Sequence, residues 1–324
     1  MSERIDIDKP LWDLSTFNGR LKHYLWMTDP RTCLVSESQL DEAKILVEQY
    51  KRNEAPSDIP IEKVLYAKQL YESAFHPDTR EKQNLFGRMS FQVPGNMLIT
   101  GAMLQFYKSA PAVLFWQWFN QSFNALVNYT NRNANIPVSK TQLSVAYVSA
   151  TSSALISAFA LKKYLANTKP IFQRFVPFAA VAAANCVNIP LMRQNEILCG
   201  VDLTDENGNP VNAKSKIASV KGISQVIFSR ITMCAPGMVI LPVIMERLER
   251  QAWMKRITIL HMPIQVVLLG CFLAFTTPFG CALFPQNCSV HISTLERFEP
   301  EEHEKLKKQF GDNLPQLLYF NKGL

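Results

Sequence analysis

Between Met97 and Leu295 the charged residues fall into gaps and leave five long uncharged runs: Ser109–Asn131, Thr141–Leu161, Phe175–Met192, Ile231–Met245 and Ile257–Leu295. A transmembrane helix needs about 20 mostly apolar residues, since each adds about 1.5 Å towards a hydrocarbon core about 30 Å thick. Four of the runs reach that length alone or with a flanking residue, and Ile231–Met245 reaches it with Val226–Arg230 added. Helices on a soluble surface carry charge every turn or two, and these do not. The pattern predicts an all-α polytopic membrane protein with about five transmembrane helices in residues 97–295. A soluble helical domain (1–96) precedes them and a C-terminal tail (296–324) follows.

In the first section Ser36 or Ser38 is placed to cap a helix running to Tyr50, with Leu40, Ala43, Leu46 and Val47 as its apolar stripe. A second helix is expected from Ile61 to Phe75, ended by His76-Pro77-Asp78-Thr79, because proline disfavours helical geometry in the residue before it. Among the spans, Ala146, Ala150, Ala154 and Ala158 recur every four residues, and 178–184 is another small-residue surface. Helices in lipid associate by close packing, so these two runs are expected to be neighbours. Pro236, Gly237, Pro242, Pro263 and Pro278 predict kinks in the last two runs.

Composition averages two unlike parts. Mean hydropathy is −0.02, which by itself looks globular. Residues 1–96 carry 13 Lys and Arg against 15 Asp and Glu, whereas 97–324 carry 21 against 12 and supply the whole net charge of +7. There is no basic helix or aromatic RNA-binding pattern, so nucleic acid is not an expected partner; basic loops beside membrane spans account for the charge. The first 30 residues hold no apolar secretory stretch, and Glu3, Asp6, Asp8 and Asp13 do not suit a cleaved mitochondrial presequence. The seven cysteines include no C-x-x-C pair and give no disulfide or metal framework.

Loop charge suggests an orientation. Lys162, Lys163, Lys169 and Arg174 fill one gap without acids, and Arg247, Arg250, Lys255 and Arg256 outnumber Glu246 and Glu249 in another. The positive-inside tendency puts these loops on the cytoplasm-like side. Counting five spans places the N-terminus with them and the C-terminus opposite.

Candidate chemistry lies in polar residues within the spans. Asn120, Asn124 and Asn128 fall at i, i+4, i+8 on one helical face, with Gln121 alongside. Amides in hydrocarbon are costly unless bonded, so this face must meet water, a helix or a ligand. Amides both donate and accept, which suits a small zwitterion such as an amino acid. Asn185 and Asn188 lie one turn apart in the third run, and Pro190 frees a carbonyl near Cys186. Arg230 either attracts a substrate carboxylate or snorkels to headgroups. His76, Pro77, Asp78 and Thr79 read as a structural corner, since no further ligand or base stands at a recognised spacing. No Walker loop, G-x-G-x-x-G, H-E-x-x-H or nucleophile elbow occurs, so neither an enzyme nor a bound cofactor or metal is expected.

At 73–79 (SAFHPDT), 111–132 (PAVLFWQWFNQSFNALVNYTNR), 176–193 (VPFAAVAAANCVNIPLMR) and 319–324 (YFNKGL) the chain resembles the sideroflexins, and the likeness runs from about Asp8 to the end. The resemblance implies a five-span mitochondrial inner-membrane protein with its N-terminus in the matrix, imported without a cleaved presequence. It implies carriage of serine and other small neutral amino acids into the matrix for one-carbon metabolism, and a tie to iron and haem homeostasis. It does not name substrate ligands; Asn124, Asn128, Asn185, Asn188 and Arg230 are chosen on physical grounds. The competing expectation is a membrane scaffold or assembly factor that recruits protein partners and affects iron or haem indirectly.

Overall fold

A computed structural model describes residues 5–56, 58–76, 79–131, 139–167 and 169–323. Three helices open the chain: α1 (Phe17–Met27), α2 (Glu37–Lys51) and α3 (Ile61–Ala74). Ser36 caps α2 in a capping box with Gln39. Leu40, Ala43 and Val47 of α2 bury against Val64, Ala67 and Leu70 of α3, and this shared apolar face is what makes the N-terminal section a folded unit.

The membrane section begins earlier than the charge pattern suggests. After α4 (Gln92–Gln105) come α5 (Ala110–Thr130), α6 (Lys140–Tyr164), the short α7 (Pro170–Gln173) and α8 (Val176–Met192). A short α9 (Gln194–Cys199), strands β1 (Val201–Thr204) and β2 (Pro210–Ser215), and helix α10 (Lys216–Ala235) follow. A π-turn at Pro236–Ile240 joins α10 to α11 (Leu241–Glu249), and α12 (Ala252–Arg256) leads into α13 (His261–Ala282). The chain closes with β3 (Asn287–His291), α14 (Ile292–Phe298), α15 (Pro300–Phe310) and β4 (Leu317–Asn321).

Among the described residues, four segments are long and apolar enough to cross a membrane: Thr141–Tyr164, Ile171–Met192, Lys216–Glu249 and Thr258–Ala282. Helix α5 is 21 residues long, about 31 Å, and its amides lower its hydropathy without shortening it. The small-residue faces do meet. Ala146, Ala150, Ala154 and Ala158 are at most 1% exposed, and Ala180 and Ala184 of α8 are at most 2% exposed. The π-turn falls where Pro236 and Gly237 predict an interruption, since Pro236 has no N–H for the helical ladder.

Helix α4 changes the topology. It lies antiparallel to α13: Gln265 Nε2 donates to Gly101 O at 3.0 Å, and a Cβ on Gly101 would come within 2.6 Å of Val266 Cγ2. It also pairs with α5, where Phe106 stacks on Trp116 at 6.2 Å and Asn131 Nδ2 donates to Gly87 O at 2.9 Å. Two ends of the bundle result. One holds the basic loops, where Lys162 Nζ donates to Lys108 O and Arg174 pairs with Glu249 at 2.6 Å. The other holds the N-terminal helices, because Arg20 Nε donates to Ala282 O at 2.8 Å and Phe17 meets Phe279 edge-on at 5.6 Å.

The C-terminal segment shares that second end. Its strands join the loop between α8 and α10 in one antiparallel sheet of order β2-β1-β4-β3. Leu203, Ala213, Val290, Leu295, Leu306, Leu318 and Phe320 form its core. Two expectations are corrected here. Residues 296–323 are a folded cap and not a tail, and the cap adds a small sheet to a helical protein. The N-terminal helices and the C-terminal cap also lie at one end of the bundle, because the 14-residue α4 runs antiparallel to α13 and carries the chain to the other end before α5.

Candidate functional site

Helix α5 presents one polar line along its length. Gln117, Asn120 and Gln121 are buried at 2–4% exposure, and Asn124 and Asn128 are half-buried on the same face. The Asn120–Asn124–Asn128 spacing omits Gln117, which the i, i+4 step to Gln121 places on the same line. Asn120 Nδ2 and Gln117 Oε1 are buried with no hydrogen-bond partner among the described residues. Orphaned amide atoms in a bundle are costly, so this seam is built around polar contacts that the packed protein alone does not complete.

The structure brings several predicted residues together. Arg230 Nη2 of α10 donates to Asn128 Oδ1 of α5 at 3.2 Å. No carboxylate lies within ion-pair distance of Arg230 among the described residues. The bond to Asn128 ties α10 to α5. Asn188 is buried on α8 beside Gln121 and Tyr147, in a crevice that also touches Ala125, Ala150 and Met192. Ser122 Oγ and Tyr147 OH are 2.9 Å apart and tie α5 to α6 beside it.

Asn124 and Asn185 are half-buried, and neither makes a hydrogen bond among the described residues. Pro190 stands inside α8 and leaves the carbonyl of Cys186 without its helical donor. The crevices are tight. The one by Asn188 has no room for a water, and another lined by Gln117, Trp116, Val113 and Pro177 holds about one. An amino acid enters this seam only if the helices part.

His76 stands apart from this site, at the bundle end that carries the N-terminal helices. Its Nδ1 accepts from Thr79 N–H at 3.2 Å, and its backbone exchanges bonds with Arg80 and Glu81 at 2.9 Å each. Pro77 and Asp78 lie outside the described residues. Among the described residues no cluster of three His, Cys, Asp or Glu is placed to hold a metal.

A membrane bundle with an amide-lined seam, joined by Arg230 through Asn128, has relatives to compare. Residues 6–324 match the family described as Sideroflexins. The chain belongs to the sideroflexin family. It is 57% identical to Sideroflexin-2 of Drosophila melanogaster over 325 residues, covering 100% of this chain and 99% of that protein. It is 54% identical to Sideroflexin-2 of Homo sapiens over 319 residues, 98% of each chain. Sideroflexin-1 of Homo sapiens is 50% identical over 322 residues, 99% of this chain and 98% of that one. No solved structure matches. As a sideroflexin with apolar helices of spanning length, the protein is a multi-pass membrane protein.

Proposed function

We propose that this sideroflexin is a carrier, not an enzyme, and that it moves serine and other small neutral amino acids across the mitochondrial inner membrane into the matrix. There it feeds one-carbon metabolism, and its tie to iron and haem homeostasis follows from that supply. The observation that carries the reading is Arg230 inside the bundle, partnered by the amide of Asn128 and by no carboxylate among the described residues. A cation desolvated without a counter-ion is costly. A substrate carboxylate supplies the missing charge, and Asn124, Asn128, Asn185 and Asn188 supply amides for the rest of the zwitterion. The carbonyl freed by Pro190 is an acceptor for the ammonium.

Parting of the seam falls to the segment with an interrupted helical ladder, the π-turn at Pro236–Ile240 six residues beyond Arg230. Orientation follows from charge: the basic-loop end faces the matrix, and the shared end carries both termini to the intermembrane side. The test is uptake of radiolabelled L-serine by purified protein in liposomes. Saturable uptake that is lost in Arg230→Met at equal inserted protein supports the carrier. No uptake by the wild type favours the scaffold, for which the close packing of Gln117, Asn120 and Gln121 would serve only to hold helices together.

A further inference from the structure

Lys322, third from the C-terminus, is 3% exposed. Its ammonium makes no hydrogen bond or ion pair among the described residues. The backbone around it is fixed. Its N–H donates to Gln286 O at 2.8 Å, and its carbonyl accepts from Arg193 Nη1 at 2.7 Å. Gly222 of α10 is the seat: a Cβ there would stand 3.2 Å from the Phe320 ring and 3.6 Å from Lys322 Cα. The end of β4 therefore rests directly on the helix that carries Arg230.

Among the described residues, the charged groups acting on the Lys322 ammonium include two arginines, Arg193 and Arg20. Arg20 is occupied by the carbonyls of Ala282, Leu14 and Ser15, and Arg193 by Glu196. Burial pushes the Lys322 ammonium pKa down and the nearby arginines push the same way, while Cys288 and Cys281 act against them. From Gly222 to Arg230 is eight residues along α10, about 12 Å. Ser229, on the face of α10 that carries Gly222 and next in sequence to Arg230, has its Oγ buried with no partner among the described residues. A methionine would fill the space of Lys322 without the desolvation that its ammonium bears.

We propose that Lys322 anchors an anion site at the capped end of the bundle, taking the carboxylate of a small amino acid before it passes inward along α10 to Arg230. The site itself stands on this geometry; the identity of its anion rests on the carrier reading. The experiment uses full-length protein in detergent and measures binding by calorimetry for L-serine, for serinol (the same molecule with CH₂OH in place of the carboxylate), for acetate and for inorganic phosphate. Wild type, Lys322→Met and Lys322→Arg are compared.

Loss of a charged hydrogen-bond partner is expected to weaken L-serine and acetate about ten- to hundred-fold in Lys322→Met. Lys322→Arg should restore most of it, and serinol should bind weakly and equally to all three. Lys322-dependent acetate binding with no serine binding would keep the site and sink serine carriage. Equal serine affinity in wild type and Lys322→Met overturns the site and leaves the carrier reading untouched. Equal binding of serine and serinol by the wild type overturns it without recourse to any variant. A Lys322-dependent response to phosphate alone would assign the charge to lipid headgroups or free phosphate and overturn the carboxylate proposal.

Discussion

Ala154 offers a sharp test of how the bundle is held. It is 0% exposed, in a row with Ala146, Ala150 and Ala158, and Ala158 of that row clusters with Ala180 of α8. Ser153 Oγ donates to Ala183 O at 3.5 Å, a short side chain of α6 reaching the backbone of α8. Ala154→Leu adds three carbons to a seam with no space for them. Lipid tails are as apolar as leucine, so the larger side chain gains nothing by burial, and only the cost of forcing the helices apart remains. Overpacking of this kind costs about 1–3 kcal/mol, roughly a five- to hundred-fold fall in the ratio of folded to unfolded protein. The control is Ile156→Leu, two residues on, where the side chain is 69% exposed and faces lipid. Denaturation by SDS in mixed micelles, followed by tryptophan fluorescence, measures both. Ala154→Leu should unfold at a clearly lower SDS fraction and Ile156→Leu at that of the wild type. Equal midpoints for the two variants would refute close packing as the force that joins α6 and α8.

Other outcomes follow from the same geometry. Protease added to mitoplasts should remove tags from both termini, because both lie at the end away from the basic loops; protection of the N-terminal tag alone would restore the five-passage arrangement. His76→Asn should leave abundance and serine uptake near wild type, since the amide oxygen can accept from Thr79 N–H as Nδ1 does, and near-total loss of uptake at equal abundance would argue for a chemical role. Alanine at Asn124, Asn128, Asn185 or Asn188 should cost about ten- to hundred-fold in apparent serine affinity in proteoliposomes, and unchanged affinity in all four would reduce these residues to helix packing. Glu299 accepts from Ser215 Oγ and from the N–H groups of Lys216 and Ile217 at the start of α10, so Glu299→Ala should destabilise the cap by about 1.5–3 kcal/mol, read as earlier proteolysis of the 200–215 loop at unchanged membrane insertion.

What could be read from the chain followed the strength of each periodic signal. The α2 and α3 helices, the alanine seam and the break near Pro236 were legible because caps, fourfold spacing and proline act locally. Helix α4 was not, because 14 residues fall below a length rule suited to isolated spans; packing against α13 and α5 supplies what its length does not. The sheet escaped because β1 and β4 are short and 115 residues separate Thr204 from Tyr319. Their alternation means little until the chain brings them together. At the site, the α5 amides and Arg230 were visible as anomalies in an apolar run, but the pairing of Arg230 with Asn128 depends on how α10 crosses α5. Lys322 was invisible in this respect, since nothing in YFNKGL says that its lysine is buried.

The strand order β2-β1-β4-β3 also bears on how the molecule is made. Strand β1 is synthesised before α10 and α13, yet its second neighbour comes from residues 317–321 at the far end of the chain. The sheet therefore closes only when the last two long helices have been inserted and have returned the chain to the side where β1 waits. Until then β1 has a bare edge, open to other chains or to quality-control proteases. A chain cut short by its final eight residues would keep every membrane helix and still lack the closing strand. Such a product should be inserted and then degraded, so the cap acts as a seal that marks assembly as complete.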